Sequence, residues 1–193
     1  MTDDLFAERD DDWWYRAILN YDRGSWQRYA LGYRQAADLV VAALVDEGRA
    51  YGVPAYPDTV AFPVAFCYRH YLELMLKALI IDASRLLGKV EQPPRTHGLQ
   101  PLWLRVRPKL EEIWPDEDFG PMEAKVKQFH GLDPTSEEFR FPFVGKPKVQ
   151  KVSLQTVHSV SLLRLREIVG DLAGMLNGAV DGIDYLRGAA PEP

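Results

Sequence analysis

One segment of the chain, residues 63–88, is apolar around most of a helical circumference, and this limits the fold more than any other feature. Its sequence is PVAFCYRHYLELMLKALIIDASRLLG. Pro63 suits a first helical turn and Gly88 a stop, so a helix is predicted from about Pro63 to Leu87. A helix that is apolar on nearly all sides must be surrounded by other elements. The sequence therefore predicts a bundle around one central, buried helix.

Apolar spacing and capping residues predict four further helices and a hairpin. The helices run from a cap at Ser25 to Gly48, from Leu99 to Trp114 with a kink or break at Pro108, from Gly120 to Gly131, and over 154–186. Residues 139–144 and 148–152 flank a Gly-Lys-Pro turn, which is typical of a β-hairpin. The predicted fold class is all-α, a single-domain bundle of about five helices with a small hairpin near 139–152.

The predicted domain spans 25–188, between an acidic segment at 1–24 and a tail at 189–193. In the acidic segment, Trp13 to Ile18 suggest a short helix, with a strand as the alternative. The lone cysteine, Cys67, excludes an intramolecular disulfide and favours a cytoplasmic location. No apolar run approaches the length of about 20 residues that a membrane span needs, and no secretory signal is recognised. We find no cofactor motif.

Charge is unevenly distributed along the chain, whose net charge is −5. Residues 139–166 contain six basic side chains and no acid, and residues 111–118 contain five acids and no base. A basic segment of this kind can contact phosphate, or it can offset acidic segments within the fold or across a dimer. A sequence pI of about 5.4 excludes a general nucleic-acid binder.

The last predicted helix carries glycines four residues apart, at Gly170, Gly174, Gly178 and Gly182. Each interior glycine costs about 1 kcal/mol relative to alanine, so a compensating contact is expected. We expect bulky residues of the first long helix, Trp26, Tyr29 and Tyr33, to approach this ridge. A homodimer through the ridge and fraying after about residue 178 are the alternatives.

The central helix carries a polar arc. At about 100° per residue, five polar side chains fall on one side of it; they are Arg69, His70, Glu73, Lys77 and Ser84. The arc is either a solvated face or the lining of a cleft. In the second case His97, in a Thr-His-Gly turn, and Arg140, between two phenylalanines of the predicted hairpin, could converge on it.

Arginine, histidine and helix-start N–H groups together suit an anion such as phosphate. We expect Arg69 and Arg140 to hold the anion, Glu73 to orient Arg69, and His70 or His97 to donate a proton. A metal site in which His97 or Asp133 joins His70 and Glu73 is a weaker alternative. His130 and His158 are interpreted as surface or cap residues.

Three motifs, RHYLELMLKALI (69–80), THGLQPLW (96–103) and DPTSEEFRFP (133–142), resemble a group of uncharacterised prokaryotic helical proteins. The resemblance covers roughly residues 60–170, and the helical arrangement it implies is similar to that of HEPN-type bundles. Many HEPN proteins are RNases or nucleotide-binding partners in defence and toxin systems. This chain lacks the Arg-x(4–6)-His motif that HEPN ribonucleases share.

The preferred functional hypothesis is a protein that binds a phosphorylated ligand, a nucleotide or an RNA end. The candidate ligand-binding residues are Arg69, His70, Glu73, Lys77, His97 and Arg140. Two alternatives remain open. One is a divergent, metal-independent RNase or phosphoryl-transfer enzyme that uses His70 and His97 as acid and base. The other is a non-catalytic interaction module or homodimer in which the polar arc is structural.

Overall fold

A computed structural model describes residues 14–19, 25–52 and 56–189 of the chain. Five helices account for most of these residues: α1 (Trp26–Tyr51), α2 (Pro57–Leu86), α3 (Leu99–Ile113), α4 (Gly120–Leu132) and α5 (Leu162–Ala189). Two short antiparallel strands, β1 (Phe143–Val144) and β2 (Lys151–Val152), form a hairpin in which Phe143 pairs with Val152. The predicted all-α bundle with a small hairpin is confirmed.

Helix α2 lies at the centre of the bundle, as its apolar circumference predicts. It packs against α1, α3 and α5, and α4 closes the structure against α3 and α5. All but one of the residues from 71 to 84 on α2 are buried. The other helices contribute one face each to the same core, which includes Trp103 of α3 and Leu172 of α5. None of the helices in the described ranges combines the length and the apolar character that a membrane span requires.

The ends of α1 and α2 differ from the sequence prediction. Ser25 caps α1 as expected, because its hydroxyl accepts a hydrogen bond from the N–H of Arg28 at 3.2 Å. The helix continues through Gly48 to a left-handed C-cap at Gly52. Helix α2 begins at Pro57, so Pro63 lies inside it, exposed at the surface. The segment between the two helices is therefore much shorter than the one between the predicted helix end at Gly48 and the predicted start at Pro63.

Helix α5 begins eight residues later than predicted. Leu154 has a left-handed backbone (φ 52°), which is incompatible with a helix at that position. Ser161 begins the helix instead, since its hydroxyl accepts from the N–H of Arg164 at 3.2 Å. In the acidic segment, Trp14 and Tyr15 form a single 3₁₀ turn and residues 16–18 are irregular, so the described part contains no α-helix. Trp13 lies outside the described residues.

The glycine ridge of α5 is not covered by α1, so that expectation is wrong. Among the described residues, a Cβ added to Gly170, Gly174 or Gly178 would meet no atom from elsewhere in the fold within 4 Å. Only Gly182 is approached closely, and the neighbour is Trp114 at the end of α3, whose Cζ2 would lie 2.8 Å from an added Cβ. Glycine is therefore required for packing at one of the four positions.

Candidate functional site

The carboxylate of Glu73 lies at the centre of the polar arc and is 1% exposed. Its Oε2 accepts from Nη1 of Arg69 and its Oε1 from Nζ of Lys77, each at 2.8 Å. Burial by itself raises the pKa of the Glu73 carboxyl, but contacts from His70, Lys77 and Arg69 outweigh it and hold the pKa well below its ordinary value. Glu73 is therefore an ionised, acceptor-only group inside the bundle.

Arg69 connects α2 to two loops that are distant in the sequence. Its Nη2 donates to the backbone carbonyl of His97 at 2.5 Å. Its Nε lies 3.3 Å from the backbone carbonyl oxygen of Asp133 and 3.2 Å from that residue's Oδ2. The Arg69 side chain is fully buried, so it holds the loop before α3 and the turn after α4 rather than a ligand.

The turn after α4 is closed by the other oxygen of Asp133. Oδ1 accepts from the backbone N–H groups of Glu137 and Glu138, at 2.8 and 3.1 Å. Asp133 is buried, and its second oxygen faces Arg69. From the sequence, Asp133 was predicted only as a metal ligand. An aspartate before proline and a Ser-Glu-Glu run is a capping signal that could have identified its structural role.

His97 is oriented by the buried carboxylate. Its Nδ1 lies 2.9 Å from Oε1 of Glu73. Because an ionised carboxylate can only accept, Nδ1 carries the proton and donates it, which leaves the lone pair of the neutral ring on Nε2. The His97 side chain is 62% exposed. The next residue, Gly98, is the N-cap of α3, and a Cβ added to it would lie 3.3 Å from the backbone carbonyl oxygen of Pro134. The loop thus presents one fixed imidazole at the surface.

His70 is held mainly by aromatic rings. Its ring stacks on Phe66 with centroids 5.5 Å apart, and the edge contact with Tyr33 has a centroid distance of 4.5 Å. Its Nδ1 lies 3.8 Å from Oε2 of Glu73, which is too long for a hydrogen bond. The side chain is 22% exposed, so His70 is a partly buried neighbour of the carboxylate that orients His97.

Arg140 does not lie on a strand, so its predicted position within the hairpin at 139–144 is wrong. It belongs to a turn before β1, and its Nε donates to the backbone carbonyl of Ser136. Its guanidinium carbon lies 5.2 Å from the ring centroid of Phe141 and 5.6 Å from that of Phe66. Phe66 also stacks on His70, so the ring of Phe66 contacts both His70 and the exposed Arg140.

The six predicted site residues therefore form two groups. Arg69, Glu73 and Lys77 are buried and bind one another, so the interpretation of the arc as a solvated face is wrong. His97, His70 and Arg140 reach the surface beside them. Ser84, farther along α2, donates instead to Glu91 at 2.7 Å. Within the described ranges, no group of three or more histidine, cysteine, aspartate or glutamate residues is arranged to hold a metal ion.

His130 on α4 belongs to this neighbourhood, although its predicted role was that of a surface or cap residue. Burial lowers the pKa of His130, the positive charge of Arg69 lowers it further, and Asp133 opposes both. Its Nδ1 is buried and has no hydrogen-bond partner among the described residues. No spacing within the sequence links His130 to Arg69, because the two lie on helices that only the tertiary fold brings together.

Comparisons of this chain with protein-family models, with curated proteins and with solved structures find no match.

Proposed function

We propose that the surface formed by His97, His70 and Arg140 binds the phosphate group of a phosphorylated ligand, such as a nucleotide or an RNA end. The proposal depends on one observation, the 2.9 Å contact between Nδ1 of His97 and the buried carboxylate of Glu73. This contact fixes the ring before any ligand arrives. It also leaves Nε2 facing the surface, and when the ring carries a second proton its Nε2–H can donate to a phosphate oxygen.

Arg140 supplies a permanent positive charge beside the histidines. A guanidinium lying near aromatic rings keeps donors available for the two-point recognition of phosphate. Phe141 is half exposed next to it, and such a ring can stack on a nucleobase. The segment 139–166 adds further basic residues and no acid. These features favour a phosphorylated nucleoside over inorganic phosphate.

The test is calorimetric titration of the protein with AMP and with adenosine. We expect saturable binding of AMP and binding of adenosine that is weaker by at least about tenfold, because the phosphate provides charge-assisted hydrogen bonds. His97→Asn should lose most of this preference while remaining folded, since its amide can still donate to Glu73. His158→Ala, at an exposed histidine outside the site, is the matched control and should bind AMP like the wild type.

Equal binding of AMP and adenosine, or unchanged AMP binding by His97→Asn, would contradict the proposal.

A second candidate function is favoured by the presence of two histidines at one carboxylate. His97 contacts Oε1 of Glu73 and His70 lies near Oε2, in environments of different exposure. Two such imidazoles could act as acid and base in metal-independent RNA cleavage or phosphoryl transfer. The test is incubation of short single-stranded RNA with the protein and excess EDTA. Product that disappears in both His70→Ala and His97→Ala supports the enzyme. If neither binding nor turnover is observed, the result favours the remaining alternative, a non-catalytic interaction module in which the polar arc is structural.

A further inference from the structure

A cavity of about 370 Å³ lies between α5 and the segment that joins α3 to α4. Its walls are formed by large apolar side chains, Trp114, Phe119, Met122 and Met175. Gly178 and Gly182 of α5 contribute backbone to its floor. The volume lies within the range of pockets that hold small molecules. None of the residues of the phosphate-binding proposal lines it.

The two glycines of the floor have different roles. At Gly182 an added Cβ would lie 2.8 Å from Cζ2 of Trp114, so glycine allows the indole to lie on the helix backbone. At Gly178 an added Cβ would meet no described atom from elsewhere in the fold within 4 Å. Glycine is unfavourable inside a helix, and packing among the described residues does not require it at position 178. Its effect there is to leave the cavity open.

The rim of the cavity is acidic. Glu117 and Asp118 line it, and no lysine, arginine or histidine in the described part of the chain does. One oxygen of Asp118 accepts from the backbone N–H of Gly120 at 2.8 Å, which positions the carboxylate at the start of α4. The surrounding residues 111–118 carry five acids and no base. An aromatic and thioether-lined cavity with a negative rim complements a positively charged group on an apolar body.

We propose that this cavity binds a small organic cation of the alkylammonium class. The apolar body lies between Met122, Met175 and the backbone at Gly178. The cationic group lies near the indole of Trp114 and within reach of the Glu117 and Asp118 carboxylates. Cation–π attraction and the acidic rim then select the ammonium over an uncharged molecule of the same shape.

The experiment compares choline with its uncharged isostere 3,3-dimethyl-1-butanol by calorimetry or ligand-observed NMR. We expect saturable binding of choline and binding of the isostere that is about five- to thirtyfold weaker. Gly178→Leu should abolish choline binding, because the new side chain occupies open space in the cavity. Gly174→Leu is the matched control, since Gly174 is also unapproached but does not line the cavity.

Glu117→Gln provides an independent test at the exposed rim, where the change does not threaten folding. It should weaken choline binding several-fold and leave the binding of the isostere unchanged. Absence of saturable choline binding, equal affinity for the isostere, or unchanged binding by Gly178→Leu would each overturn the proposal. AMP binding at the His97 surface should be the same in all three variants.

Discussion

Replacing Glu73 by glutamine should strongly destabilise the fold. The carboxylate accepts from Arg69, Lys77 and His97 at 2.8, 2.8 and 2.9 Å. Glutamine has one acceptor oxygen, and its amide N–H₂ would face a donor that it cannot satisfy. Both cations are buried. Arg69 keeps the Asp133 carboxylate at 3.2 Å, but the variant removes the counter-ion of Lys77 inside the bundle. Breaking a buried pair from one side costs about 3–5 kcal/mol.

A loss of this size is a large part of the stability of a typical domain, about 5–15 kcal/mol. Urea denaturation followed by circular dichroism measures it directly. The matched control is Glu167→Gln, which removes an exposed carboxylate paired with Arg164 at 3.1 Å. The control should change the free energy of unfolding by less than about 0.5 kcal/mol. If Glu73→Gln changes it by as little as the control, the buried cluster does not stabilise the fold in the way described.

The same contacts predict how stability depends on pH. Because the fold holds the pKa of Glu73 below its ordinary value of 4.5, the ionised carboxylate favours the folded state. Its contribution is fully present above that value and is lost progressively as the pH falls below it. The free-energy difference between wild type and Glu73→Gln should therefore shrink below about pH 4. A difference in the free energy of unfolding that grows as the pH falls would contradict this prediction.

Two further predictions concern α5. Gly182→Ala should lower the free energy of unfolding by about 1–3 kcal/mol because its Cβ meets Trp114, whereas Gly174→Ala should raise it by about 0.5–1 kcal/mol. Urea unfolding that moves both variants in the same direction would contradict this account of the ridge. Ser161→Ala should cost about 1 kcal/mol through loss of the cap to the N–H of Arg164, and thermal unfolding without a change in midpoint would exclude that role.

The arrangement of the helices could be predicted because apolar spacing reports which side of each helix is buried. The central position of α2 follows directly from its nearly continuous apolar circumference. Helix ends were less predictable. Pro63 resembles a helix start, but Pro57 fills that role and the bundle tolerates the later proline at the surface. The pattern from Leu154 onward is helical in spacing, yet the left-handed backbone at that residue belongs to a turn.

The candidate site was predictable only in part, because spacing along one helix reports local pairs but not the contacts made by distant segments. The spacing of Arg69, Glu73 and Lys77 places them on one side of a helix, and their pairing follows from i,i+4 geometry. Whether that side faces water depends on segments far away in the chain. The loop partners of Arg69, His97 and Asp133, lie 28 and 64 residues further along the chain. Both contribute backbone carbonyl oxygens, which every residue has, so a pattern of residue types cannot reveal these contacts.

These backbone contacts have an evolutionary consequence. Arg69 donates hydrogen bonds to the backbone carbonyl oxygens of His97 and Asp133. A backbone carbonyl is present at each of these positions whatever the side chain is. The loop before α3 would therefore keep its anchor to α2 if His97 were exchanged for another residue. Natural variation at this position can alter surface chemistry while the scaffold beneath it stays the same, which makes it a suitable place for new specificities to arise.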